Sequence, residues 1–108
     1  MKHFLIEITY TAPLEQVQAH TAAHRQHLQT GYDQGLLLWS GPLSPRTGGR
    51  VMARAETREQ LEAFLARDPF LLKGVASHTL LEIVPVMYQP LLADWLEGQP
   101  VSKPTSSL

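Results

Sequence analysis

Three histidines spaced four and three apart, His20, His24 and His27, and one aspartate set before a proline, Asp68-Pro69, are the side chains here whose types and spacing offer chemistry. Imidazole exchanges protons near neutral pH and ligates metals. Spacings of four and three put the trio on one side of a helix, where imidazoles can hold zinc, copper or nickel. The pattern lacks the glutamate of a zincin helix, however, and one helix face rarely supplies three tetrahedral ligands, so no metal and no cofactor is expected. A half-buried amphipathic side chain is the commoner role of such a histidine. It is expected for His20, His3 and His78, with His24 nearer the centre of the apolar stripe. Asp68 stands where a helix must end, because proline disfavours the α conformation in the residue before it. The negative end of a helix dipole offers a carboxylate nothing. Two roles stay open and are compatible: capping the turn Pro69 to Lys73, with Pro69 at its first position, or chemistry.

These residues need a scaffold. Residues 3–10, rich in aromatic and β-branched side chains, predict a strand with Phe4, Ile6, Ile8 and Tyr10 on one face. Thr11-Ala12-Pro13 supplies a capping hydroxyl and a first-turn proline for a helix from Leu14 to about Gln34. Its stripe is Leu14, Val17, Thr21, Leu28 and Tyr32, and Gly31 or Gly35 loosens or ends it. Gly35 to Pro42 predicts a second strand, apolar on both faces from Leu36 to Trp39 and therefore covered on both sides. Residues 43–49 compose a loop, and Arg50 to Glu56 alternates as a third strand. Thr57-Arg58-Glu59-Gln60 is a capping box before a helix whose stripe is Leu61, Phe64 and Leu65. Ser77 to Pro85 is the fourth strand, and Leu91, Leu92, Trp95 and Leu96 form a short C-terminal helix packed back on the body.

The order β-α-β-β-α-β predicts an α+β, ferredoxin-like fold with both helices on one face of an antiparallel four-stranded sheet. The opposite face carries too many apolar residues to stay wet. A homodimer through that sheet face is expected. Residues 1–98 make a single domain, and the Pro- and Ser-rich residues 99–108 a flexible tail.

At 108 residues, 44% hydrophobic and 18% charged, the chain is long enough for a core without staples. A formal net charge of -1 gives no footprint for nucleic acid or an anionic membrane. The absence of cysteine excludes disulfides and thiolate chemistry. The N-terminal residues lack the marks of a signal peptide, so a cytoplasmic location is expected.

The segment His24-Arg25-Gln26-His27-Leu28, then Gly41-Pro42-Leu43, then Asp68-Pro69-Phe70 with Gly74-Val75, resembles the YCII-related (YciI-like) family over about residues 3–86. The resemblance implies a ferredoxin-like dimer related to the dimeric α/β barrels. It also implies an active-site pair, a histidine followed by leucine on the first helix and the aspartate of the Asp-Pro-aromatic turn. Those positions are His27 and Asp68 here. The arginine that such proteins often carry three residues before the histidine falls on His24, with Arg25 next, and the loop after Gly-Pro is short. In such a pair, neutral imidazole takes a proton while the carboxylate fixes its tautomer. The implied reaction is proton abstraction from a small aromatic, quinone-like or lactone molecule, followed by elimination or isomerisation. Its pocket is expected between the first helix and the sheet, with His24, Trp39 and Phe70 against the substrate, although core packing is the commoner role of both aromatics. Arg46 and Arg50 flank the loop at the pocket mouth in solvated roles, and Ser40 is structural. The competing readings are a non-catalytic ligand-binding or accessory dimer, and a haem- or metal-binding barrel using the histidine row.

Overall fold

A computed structural model describes residues 1–101. Strand β1 (Lys2–Tyr10) leads through helix α1 (Leu14–Asp33) to β2 (Leu37–Pro42) and β3 (Gly48–Ala55). Helix α2 (Arg58–Leu65) and the single turn α3 (Pro69–Leu72) precede β4 (Ala76–Ile83). A 3-10 turn (Pro90–Leu92) and helix α4 (Ala93–Leu96) follow. The sheet is antiparallel in the order β2-β3-β1-β4, with helices on one face. This is the expected ferredoxin-like α+β fold.

Period-two alternation in the central strands builds the core. Phe4, Ile6 and Ile8 of β1 lie beside Ala53, Val51 and Gly49 of β3 on the inner face. There they meet Val17 and Leu28 of α1 and Leu61, Phe64 and Leu65 of α2. Gly31 does not end α1. It is buried in the final turn so that α1 can approach α2 and β2, and a Cβ there would meet Phe64 Cζ at 2.6 Å and Leu37 Cδ1 at 2.9 Å. The helix stops two residues before Gly35, whose φ of 73° reverses the chain.

The capping expectations divide. Thr57 accepts from Gln60 N at 3.2 Å, and the Gln60 side chain reaches back to Glu56 N at 3.0 Å, so the box forms one residue wide of its simplest pattern. Thr11 does not cap α1, whose first turn follows Pro13 without a side-chain cap. Instead its hydroxyl donates to Gly74 O at 3.1 Å and its N–H to Val75 O at 2.9 Å, tying the start of α1 to the entry of β4.

The C-terminal helix packs back as expected, through polar groups. Arg54, on the outer sheet face, donates to the carbonyls of Gly35, Trp95 and Gln99 and lies 3.9 Å from the centre of the Trp95 ring. His3 bonds Leu96 O at 3.0 Å. Of the expected tail, residues 102–108 lie outside the described residues. No described helix is long and apolar enough to cross a membrane.

Candidate active site

Pro69 decides where Asp68 stands. The residue leaves α2 with φ -65° and ψ 125°, and its carboxylate turns back to accept from Phe70 N at 2.9 Å, capping α3. The same carboxylate is wholly buried. It accepts from His24 Nδ1–H at 2.7 Å and from His78 Nε2–H at 2.9 Å. Capping and a place in a polar centre thus coexist.

Three elements converge here. Helix α1 contributes His24 from its buried stripe, and the α2–α3 break contributes Asp68. Edge strand β4 contributes His78, which pairs with Ile8 on the inner sheet face. Burial alone would raise the Asp68 carboxyl. The hydrogen bonds from His24 and His78, the charge of His24 and the Phe70 N–H outweigh it and hold the group well below the usual carboxylate range. Asp68 is therefore an acceptor throughout the neutral range, which fixes the proton of His24 on Nδ1. In the neutral ring Nε2 then carries a lone pair, and it has no hydrogen-bond partner among the described residues. The ring is stacked on Phe70, with centroids 3.8 Å apart and planes within 3°.

His24 lines a cavity of about 320 Å³ between α1 and the sheet, open at one side and within the size range of small-molecule sites. Ile8, Leu28, Val51 and Phe70 give it apolar walls, and Tyr10, Thr21, Arg25, Gln29, Tyr32, Ser40, Arg46 and Arg50 its polar groups. Tyr32 and Ser40 share a 2.7 Å hydrogen bond across it.

Two sequence expectations are corrected. His27 does not pair with Asp68: its Nε2–H donates to Phe64 O at 2.8 Å and its ring stacks on Phe64 at 4.4 Å. With 3.6 residues per turn, a step of three falls about 60° short of a full circle. His24 therefore shares the azimuth of the buried stripe, while His27 looks toward α2. Trp39 does not wall the cavity. A register shift between Leu37 and Trp39 puts the tryptophan opposite Met52 on the outer face, where it is 52% exposed. Phe70 does line the cavity. His20 does not join the centre, and among the described residues no group of three histidine, aspartate or glutamate side chains is arranged to hold a metal ion.

Sequence reasoning missed two contributors. His78 alternates onto the inner face of β4, a position its strand pattern allowed but could not connect to Asp68. Arg46, expected to be solvated, donates through Nε to Tyr10 Oη at 3.2 Å and through Nη2 to Thr21 Oγ1 at 3.1 Å.

Residues 1–85 match the YCII-related domain. The chain belongs to that family. No curated protein matches it. Among solved structures it is similar to 5-chloro-2-hydroxyhydroquinone dehydrochlorinase from Burkholderia phenoliruptrix, determined in complex with 2,5-dihydroxybenzoquinone. The likeness has a TM-score of 0.63 at 21% identity and covers 78% of this chain and 93% of that one. At that identity it establishes a shared fold. The YCII-related match itself covers all four strands and the Asp-Pro turn, and stops before the C-terminal helix.

Proposed function

We propose that this YCII-related protein is a small-molecule enzyme of the lyase or isomerase type, with His24 as general base and Asp68 as the group that orients it. The observation carrying this reading is the buried 2.7 Å His24–Asp68 hydrogen bond beside a cavity that His24 itself lines, the ring's other nitrogen having no hydrogen-bond partner among the described residues. His78, on the second carboxylate oxygen, keeps Asp68 from rotating away.

A positioned base of this kind contributes roughly 10²–10⁴-fold, which suits a substrate whose proton is already acidic. Hydroxylated quinols and quinones meet that requirement, because the charge left by the departing proton spreads into the ring and onto its oxygens. The dehydrochlorination named for the fold neighbour is such a reaction, in which proton loss accompanies departure of chloride. The apolar walls and the flat Phe70–His24 stack suit a single planar ring. A second copy of the chain is the proposed partner, covering the outer sheet face.

The test is turnover of chlorinated hydroxyhydroquinones, followed by chloride release, in wild type, His24→Ala and His27→Ala. His24→Ala is expected to lose about 10²-fold or more, whereas His27→Ala, away from the cavity, stays within a few-fold of wild type. Binding of these compounds without turnover by the wild type would favour the competing reading, a non-catalytic ligand-binding dimer. Equal loss in both variants would refute the assignment of His24.

A further inference from the structure

Resting on that reading, we infer that Arg46 selects the substrate by charge: the site takes small planar rings carrying an ionised oxygen, and the Arg46 guanidinium holds that oxygen.

The cavity has a one-sided charge. Among the described residues no carboxylate side chain lines it. Asp68 lies sealed behind His24, and Glu7 is drawn to Arg50 at 3.2 Å on the outer sheet face, where the register of β1 and β3 places both. Three arginines line the cavity, Arg25, Arg46 and Arg50. Arg50 is paired with Glu7, and Arg25 is exposed on α1. Arg46 comes from the loop between β2 and β3, is half-buried, and has no acidic partner within salt-bridge distance among the described residues. The groups that fix it are neutral hydroxyls, Tyr10 Oη and Thr21 Oγ1, so its position is set without its charge being cancelled. A guanidinium carries five N–H donors. Two are engaged, which leaves three for an anion entering the cavity.

Its placement relative to the base is also determined. Tyr10, which holds Arg46, meets Phe70 edge-on at 6.1 Å, and Phe70 is the ring on which His24 is stacked. One aromatic wall thus positions both the proton acceptor and the fixed cation. In the proposed step a ring O–H bond breaks, the proton passes to His24 Nε2 to form a second N–H, and the electron pair stays on that oxygen and spreads through the ring to its other oxygens. A fixed guanidinium at that oxygen stabilises the charge as it develops, without reorganisation. It also favours substrates that arrive already ionised, because a neutral ring leaves the cation's donors unpaired.

Titration calorimetry with 2,5-dihydroxybenzoquinone, a vinylogous acid ionised at neutral pH, and with its neutral dimethyl ether separates the possibilities. Wild type is expected to bind the anion about tenfold or more tightly than the ether. Arg46→Gln is expected to lose most of that preference with ether binding unchanged, and Arg46→Lys to recover part of it. Tyr10→Phe, which keeps the ring packing and removes only the hydroxyl that holds Nε, is expected to fall between. If wild type binds both quinones equally, the assignment of Arg46 fails while the small-ring reading stands. If Arg46→Gln keeps the full preference, the charge comes from elsewhere, with Arg25 on α1 the next cation along the rim, and the assignment is again overturned. If wild type binds neither quinone, the small-ring reading fails and takes the inference with it.

Discussion

Asp68 accepts three hydrogen bonds, from two imidazoles and one backbone N–H, and a carboxylate so supplied is costly to replace. Asparagine at this position still caps α3, but its amide cannot accept from both rings and turns a donor toward one of them. Asp68→Asn is expected to lose on the order of 3 kcal/mol in urea unfolding at neutral pH. The pH dependence has a definite sign. In the unfolded chain the carboxyl titrates near about 3.9, and in the folded protein it titrates lower, so the unfolded state binds more protons in between. The stabilisation is complete above the unfolded value and drains away as pH falls below about 4 toward the folded one. The gap between wild type and Asp68→Asn should therefore narrow on acidification through that window. A gap constant with pH would show that the carboxylate's charge contributes nothing.

At the level of elements, the site depends on how closely α1 lies against its neighbours, and Gly31 sets that distance. Alanine is the better helix former by about 1 kcal/mol, yet its methyl would run into Phe64, whose ring is buried and already stacked on His27. Gly31→Ala is expected to destabilise by about 1–2 kcal/mol net and to lower the melting temperature. A rise in melting temperature would show that Phe64 yields freely. The helix pattern of α1, the box at Thr57 and the Asp-Pro break were all readable as sequence, because they are set by local backbone chemistry. The pairing of Asp68 with His24 was not. Choosing between two histidines three residues apart requires the rotation of α1 about its axis, which packing against α2 and β2 decides.

For the whole molecule, the outer sheet face is the unfinished surface. The C-terminal segment is tied down at Arg54 and His3, and none of its described residues lines the His24 cavity. Beyond it Leu5, Met52, Trp39, Leu81 and Ile83 share the outer face, with Trp39 at 52%, Leu81 at 43% and Ile83 at 40% exposure. An apolar face of this kind is what a two-fold interface requires. Light scattering at micromolar concentration is expected to give twice the chain mass of 12.1 kDa. Leu81→Glu is expected to shift the protein to the monomer with its far-ultraviolet circular dichroism intact. A wild-type monomer under those conditions would refute the dimer.

The sequence alone determined the element order, the shared face of Phe4, Ile6 and Ile8, the box at Thr57 and the special position of Asp68, because alternation, capping and proline act over a few residues. The tertiary structure decided which histidine meets that aspartate, that His78 joins from an edge strand, that Trp39 turns outward at a register shift, and that Arg46 points into the cavity. Each depends on the azimuth of a helix or the register of a strand, and those are set by packing between segments far apart in the chain.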